Sequence, residues 1–342
     1  MCAECGKTTA PVDGALGLNP RETFTWGVAR RVAYAGAISA FAGAEEVLEQ
    51  LADIRISSSH IDRLSQEHGA RIEQIGQAEQ EAWLAPVDPV RETPEPDVAC
   101  ERQVLQADAT CVLTVAGEEH KSVNCATVFD LESRGRSGQR PFIANRLYSA
   151  GAYDMAEFGP RLAALAWRGG MRRAEQTAFI ADGARCLWKW AEGNLPEGTV
   201  FIQDFWHVCE HLSHLAQNLE PNHWHERFAR WKAALRAGEI DTILAELRAE
   251  HNTRRGSPRQ EIREQITYLE SGRHRMDYAR YERAGWPIGS GAIEGTCKHL
   301  VKERFGVTGA QWRRANIPQI LALRVAIFNQ DWERYWEVND AA

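Results

Sequence analysis

No run of apolar residues in the 342-residue chain is long enough to cross a bilayer, and no signal-peptide pattern precedes the first predicted helix. These absences argue against an integral helical membrane protein and against export. There is no basic excess either. Lys and Arg number 40 against 47 Asp and Glu, for a net charge of −7, which argues against a protein that coats nucleic acid by bulk charge. Local basic patches are still allowed, and basic residues do cluster late in the chain. The eight cysteines (Cys2, Cys5, Cys100, Cys111, Cys125, Cys186, Cys209 and Cys297) lack the spacing of a disulfide framework, so they read as reduced cytoplasmic thiols.

What is present is an ordinary globular composition with a high count of 12 tryptophans. The length allows two or three domains. Cys2-Ala-Glu-Cys5 opens residues 1–24 as half of a zinc knuckle; a lone CxxC is a weak zinc signal. Residues 25–83 read as helical. Val28, Val32, Ile38 and Phe41 mark a first amphipathic helix, and Ala44 to Leu51 a second. After a short turn, Ser57, Ser58 and Ser59 offer N-caps, and Ser59 with Asp62 resembles a capping box ahead of Ile61 and Leu64. Helix, turn and capped helix outline a helix-turn-helix, with His60, Arg63 and Gln66 as candidates for the groove-facing side. A helical hairpin used for packing or dimerisation fits the same pattern. Pro86, Pro89, Pro94 and Pro96 define a linker over 84–98.

Beyond the linker the period of the pattern shortens. Residues 104–115, 122–131 and 141–148 read as strands, 156–167 as a helix stopped by Gly169-Gly170, and 177–181 as a strand. Residues 184–191 read as a helix, 199–203 as a strand and 205–219 as a helix. Three strands followed by alternating helices and strands is the order of a ribonuclease-H-like α/β core, here spanning 99–219. Residues 220–285 turn helical and aromatic, with Trp224, Phe228, Trp231, Leu235, Ile243 and Leu247 at helical spacing, and read as an insertion. Residues 286–342 complete the core.

Carboxylates punctuate this framework. Asp108 interrupts an apolar strand, where a charge is costly unless it is paired or bound to a metal. Asp182 closes the fourth strand as Asp-Gly, a pair equally common in plain turns. Glu294 lies in the first turn of a helix behind Gly289-Ser290-Gly291, a position the helix dipole favours in any case. Three converging acids can hold two Mg²⁺ or Mn²⁺ ions for phosphoryl transfer on nucleic acid. Lys298 and Lys302 follow Glu294 at i+4 and i+8, placed to meet phosphates or to form ion pairs. Asp204 and His207 form Asp-x-x-His after the last strand, as a supporting acid and its hydrogen-bonding partner. His207, His211 and His214 with Cys209 offer a weaker zinc reading.

Asp182-Gly183, Ile-Gln-Asp-Phe-Trp-His-Val-Cys-Glu-His-Leu at 202–212 and Pro-Ile-Gly-Ser-Gly-Ala-Ile-Glu-Gly-Thr-Cys-Lys at 287–298 together resemble the DDE transposases of Kra-type bacterial insertion sequences, within the Mutator-like group. The resemblance runs from about Ala15 to Trp336. It implies a ribonuclease-H-like core interrupted by an all-helical insertion, with Asp108, Asp182 and Glu294 as the catalytic, metal-holding triad and Asp204 and His207 as the accessory motif. It also implies a bacterial cytoplasmic protein that cuts and joins DNA at transposon ends and target, as a homo-oligomer in the synaptic complex. Arg304, Arg313 and Arg314 would then track the DNA backbone alongside Lys298 and Lys302, and the residues 25–83 would bind the ends. Where the family usually has Gly after the first Asp, this chain has Ala109. The family's N-terminal region often extends further upstream than the segment of this chain that precedes 25–83. A non-catalytic DNA-binding remnant or regulator is the alternative expectation.

Overall fold

The computed structural model describes residues 24–85, 101–119, 121–132 and 141–340. Cys2, Cys5 and nearly all of the proline-rich linker lie outside the described residues. Among those described, no helix is long and apolar enough to cross a membrane.

Three N-terminal helices come first: α1 (Trp26–Ile38), α2 (Phe41–Ala52) and α3 (Ser58–Leu84). Val32, Ala35, Ala44, Leu48, Ile56, Ile61 and Leu64 form their shared core. The turn into α3 differs from the expected capping box. Ser57 is the N-cap, and the Ser58 amide donates to Glu45 Oε2 of α2 at 2.8 Å, so a carboxylate from the preceding helix satisfies the first turn. Asp62 instead accepts from Gln66 one turn on.

The centre is a mixed five-stranded sheet in the order β3-β2-β1-β4-β5. Its strands are β1 (Arg102–Val112), β2 (Lys121–Glu132), β3 (Phe142–Gly151), β4 (Gln176–Ala181) and β5 (Val200–Gln203). β2 runs antiparallel to β1 and β3, whereas β4 pairs parallel with β1 and β5 parallel with β4. Alternation along β1 divides the two faces. Leu105 and Ala107 join Phe179 and Ala181 beneath α4 (Met155–Gly169) and α5 (Arg185–Asn194). Val104, with Ile180 and Ile202, joins the opposite core beneath α6 (Phe205–Leu219).

The segment after α6 is helical, as expected, with α7 (Trp224–Arg236), α8 (Ile240–Thr253), α9 (Ser257–Gly272) and α10 (Tyr278–Arg283). Trp231, Leu235, Ile243, Leu247, Ile262 and Leu269 join the α6 core, so the insertion is continuous with that face of the sheet. The chain then returns through α11 (Gly291–Thr296), a wider π-helical stretch over Cys297–Lys302 and α12 (Glu303–Phe305), before α13 (Ile317–Phe328) and α14 (Trp332–Asp340).

The N-terminal helices are not set apart from this body. Ala29, Ala33, Ala37 and Ile72 share one core with Val112, Val123 and Cys125 of the sheet and with Leu300, Ile320 and Leu321. Small residues permit the close approach. A Cβ added at Gly69 of α3 would lie 2.3 Å from the Gln319 carbonyl oxygen of α13, whereas one at Gly76 would meet nothing within 4 Å. Gly69→Ala should therefore cost about 1–3 kcal/mol through backbone displacement. Gly76→Ala, two turns along the same helix, should add about 0.5–1 kcal/mol of stability. Denaturant unfolding of the two variants checks this, and equal effects would refute the close contact.

Candidate active site

β1 carries the first acid within the strand, just past the end of its ladder with β4. Gln106 pairs with Ile180 in the parallel β1–β4 register, so continuing by two residues sets Asp108 beside Asp182, just past the last residue of β4. Each aspartate accepts one local amide: Asp108 from Ala109 at 2.7 Å and Asp182 from Ala184 at 3.1 Å. Gly183 has φ +121°, and a Cβ there would come within 3.1 Å of Gln203 Nε2, so glycine alone suits this turn.

The third acid arrives from 112 residues later, held by polar clasps. Phe205 donates to the Ile288 carbonyl at 2.9 Å, which anchors the loop ahead of α11 to the start of α6. Gln106 donates to the Gly289 carbonyl at 3.2 Å and accepts from the Ile293 amide at 2.9 Å. Asp204, only 1% exposed, accepts from the Ser290 amide at 2.5 Å and the His207 amide at 2.8 Å. Arg146 of β3 donates to the Ala292 carbonyl and, at 2.7 Å, to Thr296 Oγ1. A Cβ at Gly289 would lie 2.8 Å from the half-exposed Trp206 ring, so a larger residue there would push that ring aside. The exposed Glu294 carboxylate accepts from Ser290 Oγ at 3.0 Å.

Electrostatics tie the three acids together. Burial raises the Asp108 carboxyl above its ordinary value, and the negative charges of Asp182 and Glu294 raise it further; the Ala109 amide and nearby His207 oppose the shift. An aspartate with a raised folded value holds its proton longer folded than unfolded. Its ionisation therefore weakens the fold as pH climbs from the unfolded value toward the folded one. Asp108→Asn should accordingly raise the melting temperature at pH 7, and the gain should vanish below about pH 3.8, where Asp108 is protonated in both states. Thermal melts across pH test this, and an equal gain at both ends would refute the electrostatic origin.

Among the described residues, no group of three His, Cys, Asp or Glu side chains is gathered tightly enough to hold a metal ion as it stands. The donor set nonetheless suits a hard divalent cation. Three carboxylates favour Mg²⁺ or Mn²⁺ over zinc, and such ions keep several waters and substrate oxygens rather than needing a closed cage. Glu294 is near enough to Asp108 for its charge to be felt there.

The remaining sequence candidates divide. Asp204 serves as a clasp through backbone amides. It touches the His207 backbone, whereas the His207 ring lies near Glu210, at 3.8 Å, and near Asp108. The His207 and His211 rings meet edge to face at 4.9 Å, and His211 stacks on Tyr268 at 4.2 Å. Burial and neighbouring His207 lower the His211 value, and burial pushes the Cys209 thiol up to about 12. His60, Arg63, Lys298, Lys302, Arg313 and Arg314 are exposed. His60 bonds Ser57 Oγ at 2.9 Å, and Arg63 faces Glu67 at 3.5 Å.

Arg304 is a correction. It is 3% exposed and donates to the Gly36 carbonyl at 2.9 Å, so it joins α1 to the core and does not reach a DNA backbone. Its guanidinium has value there because the last carbonyls of α1 need donors. Gln106 and Arg146 are site residues that motif reading missed. The one signal was a polar Gln106 on the same strand face as Asp108.

No protein-family model matches the chain, and no curated protein is significantly similar to it.

Proposed function

We propose that the chain is a DDE-type transposase, catalysing metal-dependent DNA cleavage and strand transfer on a ribonuclease-H-like core. The observation that carries this reading is the register that sets Asp108 beside Asp182 along the parallel β1–β4 pair, with Glu294 delivered by a loop clasped to Gln106 of β1 and to Asp204 just past β5. The strand order β3-β2-β1-β4-β5, with β2 as the antiparallel member, supports the core assignment. The helical segment between α6 and α11 supports its interruption by an insertion.

In this reading Asp108, Asp182 and Glu294 would hold two Mg²⁺ or Mn²⁺ ions. When bound, the ions activate a water or a DNA 3′-hydroxyl and stabilise the leaving oxygen. The chain's own residues set the geometry. Gln106 and Asp204 fix the start of α11, Ser290 orients Glu294, and Asp108 is itself half-buried on β1. Lys298, Lys302, Arg313 and Arg314 supply cations for the phosphates of double-stranded DNA, at the transposon ends and at the target, and two synapsed ends call for a homo-oligomer.

Purified protein incubated with Mg²⁺ and duplexes carrying the element's terminal repeats should nick the ends and join them to a target. Binding without cleavage in Mg²⁺ or Mn²⁺ would replace this reading with that of a non-catalytic DNA-binding remnant.

A further inference from the structure

Beside Asp182 a cleft of about 530 Å³ runs between α5 and α9. One wall is the face of α5 that carries Arg185, Trp188, Lys189 and Glu192, at i, i+3, i+4 and i+7. The facing wall is α9, with Glu264, Thr267, Tyr268 and Ser271 at the same spacing. Gly183 and Gln203 form the floor, so the cleft opens next to the candidate catalytic aspartate.

Its chemistry is that of an acceptor-rich anion's binding site. Arg185 and Lys189 are exposed, one turn apart, and form no ion pair among the described residues. Deeper in, Arg275 stacks over Trp188 at 4.3 Å and pairs with Glu192, so Glu264 on the facing wall is the acid left opposite Arg185 and Lys189, and the lining keeps an excess of cations. Two buried donors on these residues, Trp188 Nε1 and Arg275 Nε, have no hydrogen-bond partner, although their side chains are 4% and 8% exposed. Both donors are shut off from solvent, so the exposed Arg185 and Lys189 are the groups a guest in the cleft would meet.

We propose that this cleft takes the sugar–phosphate backbone of the single DNA strand flanking the scissile phosphate, with Arg185 and Lys189 neutralising successive phosphates. Backbone, rather than base, is favoured because the exposed groups are cations one helical turn apart and the aromatic face of Trp188 is already covered by Arg275. The inference rests on the nucleic-acid reading above, but binding tests it separately from cleavage.

The test is the salt dependence of binding of a fluorescein-labelled mixed-sequence single-stranded 20-mer to the full chain, in Ca²⁺ so that no cleavage intervenes. The double variant Arg185→Gln/Lys189→Gln should bind at least about tenfold more weakly at 50 mM salt. Its plot of log K against log salt should be shallower by about 1.4, the loss of two phosphate contacts at ~0.7 each. Because both side chains are exposed, the melting temperature should hold. An unchanged slope would overturn the cleft assignment and leave the catalytic reading intact. A shallower slope in a protein that never cleaves would keep the cleft and remove the transposase reading. Wild-type protein that does not bind the 20-mer would overturn the cleft outright.

Discussion

Asp108→Asn, Asp182→Asn and Glu294→Gln should each reduce Mg²⁺-dependent DNA cleavage by at least about a thousandfold, equivalent to about 4 kcal/mol of transition-state stabilisation. Each substitution is nearly isosteric and exchanges an anionic oxygen donor for a neutral amide, so the loss reads charge and ligation rather than shape. On the proposed transposase reading, DNA binding in Ca²⁺ should be retained, because it would rest on Lys298, Lys302, Arg313 and Arg314 and not on the acids. The fold should tolerate all three. Asp108 is destabilising where it is ionised, being partly buried beside two other negative charges. Its removal should therefore stabilise the protein while abolishing its activity, the opposite of what a structural carboxylate would do. Asp108→Cys sharpens the test. A thiolate is a poor ligand for Mg²⁺ and a tolerable one for the softer Mn²⁺, so activity that returns in Mn²⁺ alone identifies a direct ligand. Full activity in any one of the amide variants would remove that residue from the triad.

The reasons why some of this was legible in the sequence, and some not, are physical. β4 was readable as a short apolar run ended by a charge, and β1 as a longer apolar run that Asp108 interrupts. Parallel pairing then sets Asp108 level with Asp182. The helix over 205–219 was readable from its apolar spacing; Asp204, read as a supporting acid, is also its cap, accepting from the His207 amide. The clasps were harder to see. Gln106 is one amide among several, and its partners Gly289 and Ile293 lie 183 and 187 residues away. Arg304 looks like a surface cation until the carbonyls at the end of α1 are placed against it, and Arg324 is buried for the same reason, donating to Ala37 and Leu300. The proline-rich linker suggested a self-contained N-terminal unit. The faces that bind α1 and α3 to α13 are built of alanine and glycine, which carry little hydrophobic signal, so the contact emerges only in three dimensions. α14, with Trp332, Tyr335 and Trp336 at helical spacing, had its pattern present and went unassigned.

Asp204 offers the second large effect, through geometry rather than ligation. Its two carboxylate oxygens are each taken by a backbone amide, from His207 at one and Ser290 at the other, in a position 1% exposed. Asp204→Asn would turn one of those oxygens into an NH₂ facing an N–H, donor against donor. Buried donors left unsatisfied cost about 1–3 kcal/mol each, so the variant should lose roughly that much stability. The larger consequence falls on catalysis. Ser290 sits between the clasp and Glu294: its amide is held by Asp204 and its hydroxyl donates to the glutamate. Releasing the amide frees the Gly289-Ser290-Gly291 turn and with it the position of Glu294, while Asp108 and Asp182 stay fixed on the sheet. Cleavage should fall about 10–100-fold, the range for groups that orient a metal ligand without touching the metal. A positioning role has a signature that general destabilisation lacks. The maximal rate should fall with the apparent DNA affinity unchanged, and higher Mg²⁺ or Mn²⁺ should recover part of the rate, because the ions help to order Glu294. Hydrogen exchange should quicken at Ser290 and leave the β1 amides protected. Exchange that quickens across the whole sheet would assign Asp204 to the stability of the fold alone.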